Sequence, residues 1–267
     1  MSYNAVWSGE KLLLNSWVTI NNRSGKGFDN VNLKLIAGDV NQIRDRYYDK
    51  AGYGRNAMME SDVAMAAPSF EEKAFHDFHM YTLDQKVSFA NNQTKQMELY
   101  PMQEVIANAV YEISPLLRGG VNSIIRFVNT ENQGLGKPLP KGTIKVYKAD
   151  SDANLEFIGE DSINHTSLNE EVNVTTGRAF DLVASTQVRN QKSVSNRVSE
   201  REIHLVLKNN SKEAKKINVV HQLSGNAKIV YSDLRYALDP QKNKVTYQVD
   251  LAPNAESTFF FRERTEW

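Results

Sequence analysis

The sequence contains no cysteine in 267 residues. Disulfide bonds, thiolate nucleophiles and cysteine-based zinc sites are therefore excluded together. No apolar run approaches the roughly 18–20 residues that a membrane-spanning helix requires. The first residues lack a basic stretch followed by a long apolar core, so we expect no signal peptide. The lack of cysteine fits a reducing cytosol or an envelope protein without disulfides, and it leaves the compartment open.

An excess of charge of either sign is also missing, because 32 Lys and Arg residues balance 32 Asp and Glu residues. A balanced chain has no overall field that attracts nucleic acid or an anionic membrane. The only phosphate-loop-like segment, residues 24–27, lacks the earlier glycine and the Ser or Thr that should follow its lysine. We therefore predict no nucleic-acid partner, no metal and no organic cofactor.

Alternating apolar and polar residues dominate the rest of the chain, with Gly, Asn and Pro between the segments. This pattern is typical of short antiparallel strands in sandwiches. The sequence predicts an all-β fold with very little helix: two Ig-like antiparallel β-sandwich units and a central β-rich segment. The predicted strands include residues 11–21, 31–36, 74–83, 122–129, 143–149, 179–188, 215–222 and 256–262.

The two ends of the chain resemble each other. Each has a strand, a turn of the Asn-Asn-x-Ser type, a second strand, and a closing strand further on; the turn reads Asn-Asn-Arg-Ser from Asn21 and Asn-Asn-Ser from Asn209. We interpret each turn as a hairpin in which asparagine tolerates positive φ. Either an internal duplication or convergence between sandwiches would produce this likeness. We place an N-terminal part at residues 1–130 and a C-terminal part at residues 131–267, with one continuous domain as the alternative.

Residues 42–73 show no strand periodicity and form an unusually long connection for a compact domain. The segment is either a mobile insertion or an interaction loop. Exposed aromatic and methionine side chains are adaptable contacts for a partner. The interaction hypothesis assigns the contacts to five residues of the segment: Tyr47, Tyr48, Tyr53, Met58 and Met59.

Several segments resemble the C-terminal β-sandwich domain of the mucoidy-inhibitor-like proteins, a domain of unknown function. The segments are residues 20–25 and 31–39, Leu139 to Tyr147, Phe157 to Glu160, and Ala179 to Asp181. The resemblance implies a cell-envelope or periplasmic protein, and it transfers no catalytic residues. Because Phe157 and Phe180 lie in the most strongly patterned stretch, we predict that both are buried in the core.

Two sets of polar residues are candidates for a site. His76, Asp77 and His79 could begin a metal site, although nothing marks a further ligand and a polar strand face explains them better. The doublets at residues 160–161 and 170–171 supply carboxylates, but adjacent strand residues point to opposite faces, so neither doublet alone can act as a glycosidase pair.

The sequence therefore favours a non-enzymatic β-sandwich module for binding or assembly in a cell envelope, with a protein partner or self-association. The alternative is a carbohydrate-binding module, or a polysaccharide hydrolase that uses dispersed carboxylates. An exposed coplanar aromatic strip would favour carbohydrate binding, and two convergent carboxylates with raised pKa would favour hydrolysis.

Overall fold

The computed structural model describes residues 1–38, 69–117 and 119–267, and these residues form an all-β protein. The strands are β1 (Ser2–Trp7), β2 (Lys11–Asn21), β3 (Phe28–Val31), β4 (Lys34–Ala37), β5 (Phe70–Phe75), β6 (Phe78–Leu83), β7 (Val87–Phe89), β8 (Thr94–Ile106), β9 (Asn108–Ile113), β10 (Asn122–Val128), β11 (Gly142–Ala149), β12 (Leu155–Ile163), β13 (Glu171–Arg178), β14 (Leu182–Ser195), β15 (Val198–Asn209), β16 (Lys215–Gln222), β17 (Lys228–Ser232), β18 (Ala237–Asp239), β19 (Lys244–Leu251) and β20 (Glu256–Glu266). A 3₁₀ turn at Glu131–Gln133 is the single helical element of the described residues. No helix in these ranges is long and apolar enough to cross a membrane.

The chain forms two compact units, and each unit contains two stretches of sequence. Unit 1 comprises Met1–Ala107 and Phe127–Val172, and unit 2 comprises Asn108–Arg126 and Asn173–Trp267. The division therefore differs from the single boundary that we expected near residue 130. It differs because β10 and β13 each include residues of both units, so the chain changes unit within these strands.

Unit 1 is built on a five-stranded sheet in the order β12-β11-β1-β2-β8. A three-stranded sheet (β4-β6-β5) and a two-stranded sheet (β3-β7) complete it. Alternate residues of β2 and β8, such as Val18 and Met97, pack with Leu83 and Phe89 of β6 and β7. The period-2 pattern that predicted these strands thus supplies the apolar face that unit 1 buries.

Unit 2 is a β-sandwich of a four-stranded sheet (β14-β15-β20-β17) and a six-stranded sheet (β13-β10-β9-β16-β19-β18). Leu205 and Phe259 of the first sheet share one core with Val219 and Tyr247 of the second. Phe261 is completely buried in this core. Because every second residue of β15 and β20 faces inward, the residues between them form the outer face of the four-stranded sheet.

The sequence predicts hairpins at the Asn-x-Ser segments. In the structure, the two strands that flank each segment are not paired with each other. β2 pairs with β8, and β3, which follows the first turn, pairs with β7. In unit 2, β15 pairs with β20, while β16 pairs with β19 and β9. Each turn therefore carries the chain from one sheet to another.

A buried asparagine at the end of a strand stabilises each of these turns. Asn22 donates from Nδ2 to the carbonyls of Lys26 and Ala90, at 2.8 and 2.9 Å. Asn209 donates to the carbonyls of Glu213 and Ala252, at 2.8 and 3.1 Å. The hydroxyls of Ser24 and Ser211 donate to the asparagine Oδ1 atoms, at 2.8 and 2.7 Å. The likeness between the ends of the chain is therefore also a likeness in geometry.

Asn129 repeats this arrangement in the central part of the chain. Its Nδ2 donates to the carbonyls of Lys137 and Ser167, at 2.8 and 2.9 Å. In all three cases the backbone N–H of the asparagine donates to the backbone carbonyl of the residue just before the partner strand, which is Gln93, Glu170 or Ala255. The residue before that one has positive φ each time, and it is Asn92, Asn169 or Asn254. The left-handed asparagines are thus in the opposite loop and not in the Asn-x-Ser turn.

The prediction that Phe157 and Phe180 are core residues is wrong. Phe180 is 96% exposed, because it lies in the turn between β13 and β14, where the strand alternation is interrupted. Phe157 is 54% exposed on β12, at the edge of its sheet, and contacts Tyr147 edge-on. The side chains buried nearby are those of Leu182 and Ile163.

Candidate functional site

Of the residues weighed as sites from the sequence, only those in the described ranges can be placed, and these do not form a common site. Tyr47, Tyr48, Tyr53, Met58 and Met59 lie outside the described residues. His76 and Asp77 form an exposed turn between β5 and β6, whereas His79 contacts Glu72 at 2.7 Å. No group of three or more potential metal ligands occurs within the described ranges.

The carboxylate doublets also occupy separate structural positions. Glu160 lies opposite Lys145 in the β11–β12 ladder. Glu170 accepts a hydrogen bond from the N–H of Ser167, at 2.9 Å. Neither residue lines the concavities described below.

Three tyrosines of unit 1 are bound to one proline-containing segment. The hydroxyls of Tyr81 and Tyr100 donate to the carbonyl of Pro138, and that of Tyr3 donates to the carbonyl of Pro140. Burial raises the pKa of all three, that of Tyr81 to about 12. The hydroxyls therefore stay protonated as donors, and the cluster is a structural anchor. An adjoining open concavity of about 280 Å³ is lined in part by Glu72, Tyr100 and Lys137.

The richest polar arrangement lies on the outer face of the four-stranded sheet in unit 2. The strands β15 and β20 are paired so that Glu202 lies opposite Arg262 and Glu200 opposite Arg264. The Arg262 guanidinium contacts Glu202 at 2.6 Å, and the Arg264 guanidinium contacts Glu200 at 2.6 Å. This alternation of cross-strand pairs forms an ion-pair ladder.

Further donors fix each carboxylate of the ladder. Asn190 donates to Glu202 at 2.6 Å, and Lys192 of β14 lies 3.5 Å from Glu200. The hydrogen bonds from Arg262 and Asn190 lower the pKa of Glu202 to about 2. The hydrogen bond from Arg264 likewise lowers the pKa of Glu200. Both carboxylates are therefore ionised at neutral pH and held in one geometry.

A row of stacked rings continues the outer face beside the ladder. The ring of Phe260 lies 4.8 Å from that of His204, at an interplanar angle of 8°. On its other side it lies 5.1 Å from Tyr231, at 26°. Rings stacked at this spacing cover one another's faces, so the row mainly presents ring edges to the surroundings. It does not form the flat strip of exposed faces that a sugar platform requires.

The end of the row adjoins an open concavity of about 410 Å³ that β17 and the following loop form. Tyr231, Arg235 and Tyr236 line it together with Ile229, Val230, Ser232 and Leu234. The Tyr231 hydroxyl donates to Asp233 at 3.0 Å, and Asp233 accepts from the backbone N–H of Phe260 at 2.9 Å. The concavity and the ring row are thus joined through one carboxylate.

On the inner face of β20, the Glu263 carboxylate is fully buried. It lies 2.8 Å from His221 and 3.1 Å from Arg201. Burial opposes ionisation, but hydrogen bonding and charge from His221 and Arg201 outweigh it, so the pKa of Glu263 is lowered. The group is a satisfied structural ion pair.

These pKa directions limit the chemistry of the face. Within the described part of the chain, the carboxylates with clearly shifted pKa are Glu200, Glu202, Glu263 and Glu266, and each is shifted downward. A carboxylic general acid needs the opposite shift. The face therefore offers fixed ion pairs and stacked rings, and no carboxylic acid suited to proton transfer.

Sequence reasoning missed the ladder although a signal was present. Glu200, Glu202 and His204 occur at spacing two in β15, and Phe260, Arg262 and Arg264 do so in β20, although the predicted strands were shorter and left out Glu200 and Arg264. Two strands with opposite charges at spacing two are candidates for a cross-strand ladder. The pairing of β15 with β20, about sixty residues apart, could not be read from either strand alone.

Comparison with known proteins gives no further identification. No family model matches the chain, and no curated protein or solved structure matches it either.

Proposed function

We propose that the protein is a non-enzymatic module for binding or assembly in a cell envelope, and that the outer face of the four-stranded sheet is its binding surface. The supporting observation is the ion-pair ladder beside the ring row, in which Arg262, Arg264 and Phe260 are already held by protein contacts. The cell-envelope location rests on the resemblance to the mucoidy-inhibitor-like domain, and the Ig-like character of the units rests on the pattern of alternating strands.

The physical argument is preorganisation. Arginine and aromatic side chains dominate binding energy at protein interfaces. Fixing a long side chain on binding costs about 0.5–1.5 kcal/mol, and a side chain already fixed avoids most of that cost. Glu202 is ionised throughout the physiological pH range, so its ion pair with Arg262 stays intact there.

The test is retention of a partner from an envelope extract of the source organism by immobilised protein. A variant with Tyr231→Ser and Phe260→Ser removes two rings of the row. Phe180→Ser is the matched control, since it removes a highly exposed ring outside the face. We expect one partner to be retained by the wild type and the control and lost by the double variant. Equal retention by all three folded proteins would contradict the proposal.

A second candidate is carbohydrate binding, which the concavity at Tyr231, Arg235 and Tyr236 favours. Two partly exposed tyrosines and an arginine offer stacking surfaces and hydrogen-bond donors to a sugar. Calorimetric titration with neutral and acidic oligosaccharides tests it. Binding that Tyr236→Ala abolishes would support this candidate, and no binding to any oligosaccharide would reject it.

A further inference from the structure

Within the described part of the chain, the strand β14 is an edge of its sheet, and some of its backbone hydrogen-bonding groups face away from β15. Among the described residues, β14 is paired with β15 on one side and with no strand on the other. The Asn210 N–H donates to Asp181 O, and the Leu182 N–H donates to Ala179 O, outside the ladder. In an antiparallel pair hydrogen-bonded residues alternate, so Ala184, Thr186 and Val188 direct their N–H and C=O groups away from β15. Such an edge is a template for another strand.

The chemistry of this edge is basic and partly apolar. Residues 182–199 contain no acidic residue, and their basic residues are Arg189, Lys192, which is paired with Glu200, and Arg197, in the turn that follows β14. Val188 and Val194 are exposed. Positive charge on an edge strand disfavours pairing with a like edge, and the same charge attracts an acidic one.

An edge of the opposite kind exists in unit 1. Among the described residues, β12 is the outermost strand of its sheet, with β11 as its neighbour. It carries Glu156, Glu160 and Asp161 and no basic residue, and Glu156 and Glu160 lie opposite Lys148 and Lys145 of β11. Leu155 and Phe157, at its start, are exposed apolar side chains. β12 therefore offers the charge, the apolar surface and the backbone edge that complement β14.

We propose that β14 of one copy of this chain pairs with β12 of a second copy. The proposal rests on the proposed function as an assembly module and names the partner as the protein itself. Pairing β14 with β14, or β12 with β12, would bring like charges together. The contact is therefore heterologous, so each copy can engage two neighbours and form a chain or a closed ring.

Sedimentation velocity of the full chain over a wide concentration range tests this proposal. Variant A reverses the acidic edge with Glu156→Lys and Glu160→Lys. Variant B reverses the basic edge with Arg189→Glu and Arg197→Glu, which leaves the ladder residue Lys192 in place, and variant AB combines all four changes. The control, Arg23→Glu with Lys242→Glu, makes the same charge change as variant B at turns outside both edges. Melting temperatures confirm that each variant is folded.

We expect the wild type and the control to self-associate, with an association constant at least about tenfold weaker at 0.5 M than at 0.05 M NaCl, since salt screens exposed charges. Variants A and B should each lose association, and AB should regain it. A wild type that stays monomeric at low salt overturns the proposal, as does association of A or B at wild-type strength.

The two proposals fail in different experiments. A monomeric wild type that still retains an envelope partner through Tyr231 and Phe260 overturns the edge pairing and leaves the outer-face function standing. Self-association that follows the charge reversals, without any outer-face partner, supports the edge pairing and contradicts the outer-face function.

Discussion

Replacing Asn209 by alanine should be among the most damaging polar substitutions in unit 2. Asn209 is fully buried, and its Nδ2 lies 2.8 Å from the carbonyl of Glu213 and 3.1 Å from those of Leu251 and Ala252. Its Oδ1 accepts from the Ser211 N–H at 3.0 Å. The Ser211 hydroxyl, which also donates to Oδ1, can donate to the carbonyl of Glu213 instead. The substitution therefore removes three hydrogen bonds without replacement, two from the amide hydrogens and one from the Ser211 N–H, and each contributes about 1 kcal/mol net. We therefore expect a loss of about 3 kcal/mol.

Urea unfolding followed by circular dichroism measures this loss from the midpoint and the slope. The matched control is Asn210→Ala, because Asn210 is exposed and uses its backbone N–H in its contact with Asp181. The control should change the free energy of unfolding by less than about 0.5 kcal/mol. Equal effects of the two substitutions would refute the account of the buried asparagine.

Asn22→Ala and Asn129→Ala should each cost about 2–3 kcal/mol in the same assay, since both side chains donate two buried hydrogen bonds; a neutral result at either position would show that the three turns are not equivalent. Phe261→Ala should cost about 3–5 kcal/mol, whereas the exposed Phe180 should tolerate alanine with almost no change in melting temperature. The pKa of Glu202 is lowered to about 2, so its stabilising contribution is complete above the unfolded-state value near 4.5 and is lost as pH falls toward 2. Acid titration of Glu202→Gln should therefore show a shallower loss of stability between these pH values than the wild type, and parallel curves would contradict the assignment.

Strands with unbroken alternation were predictable from the sequence. Residues 11–21 and 215–222 form strands with the predicted bounds. Along most of each strand, every second side chain is buried and the side chains between are more exposed. The segment 74–83 alternates equally well but is a hairpin. His76 adopts positive φ there, and the chain reverses between Phe75 and Phe78. Alternation alone does not distinguish one strand from two joined by a tight turn.

The errors at Phe157 and Phe180 have a related cause. Strong alternation predicts that apolar residues face a core. In the described structure, however, Phe157 lies on the edge strand β12, and Phe180 lies in the turn between β13 and β14. Strand order depends on pairings between distant segments, such as the parallel pairing of β1 with β11. A single strand's sequence does not encode its neighbour, so the edge position was not predictable.

The candidate surface was missed for the same reason, whereas the turn likeness was found. The Asn-x-Ser turns are local in sequence, and both ends of the chain display them. Asn129 lacks the following serine, and the backbone N–H of Lys137 takes the corresponding place at Oδ1. The third turn therefore became visible only through its hydrogen bonds.

Photo-crosslinking in cells tests the central claim, that the outer face of the four-stranded sheet is the working surface. A photoreactive residue replaces Val230, which is exposed beside the ring row, and in a second protein it replaces Lys242, in an exposed turn. The account predicts one discrete crosslinked partner from position 230, none from position 242, and loss of the product when Phe260→Ser is added. Identical products from both positions, or no product from position 230, would contradict it.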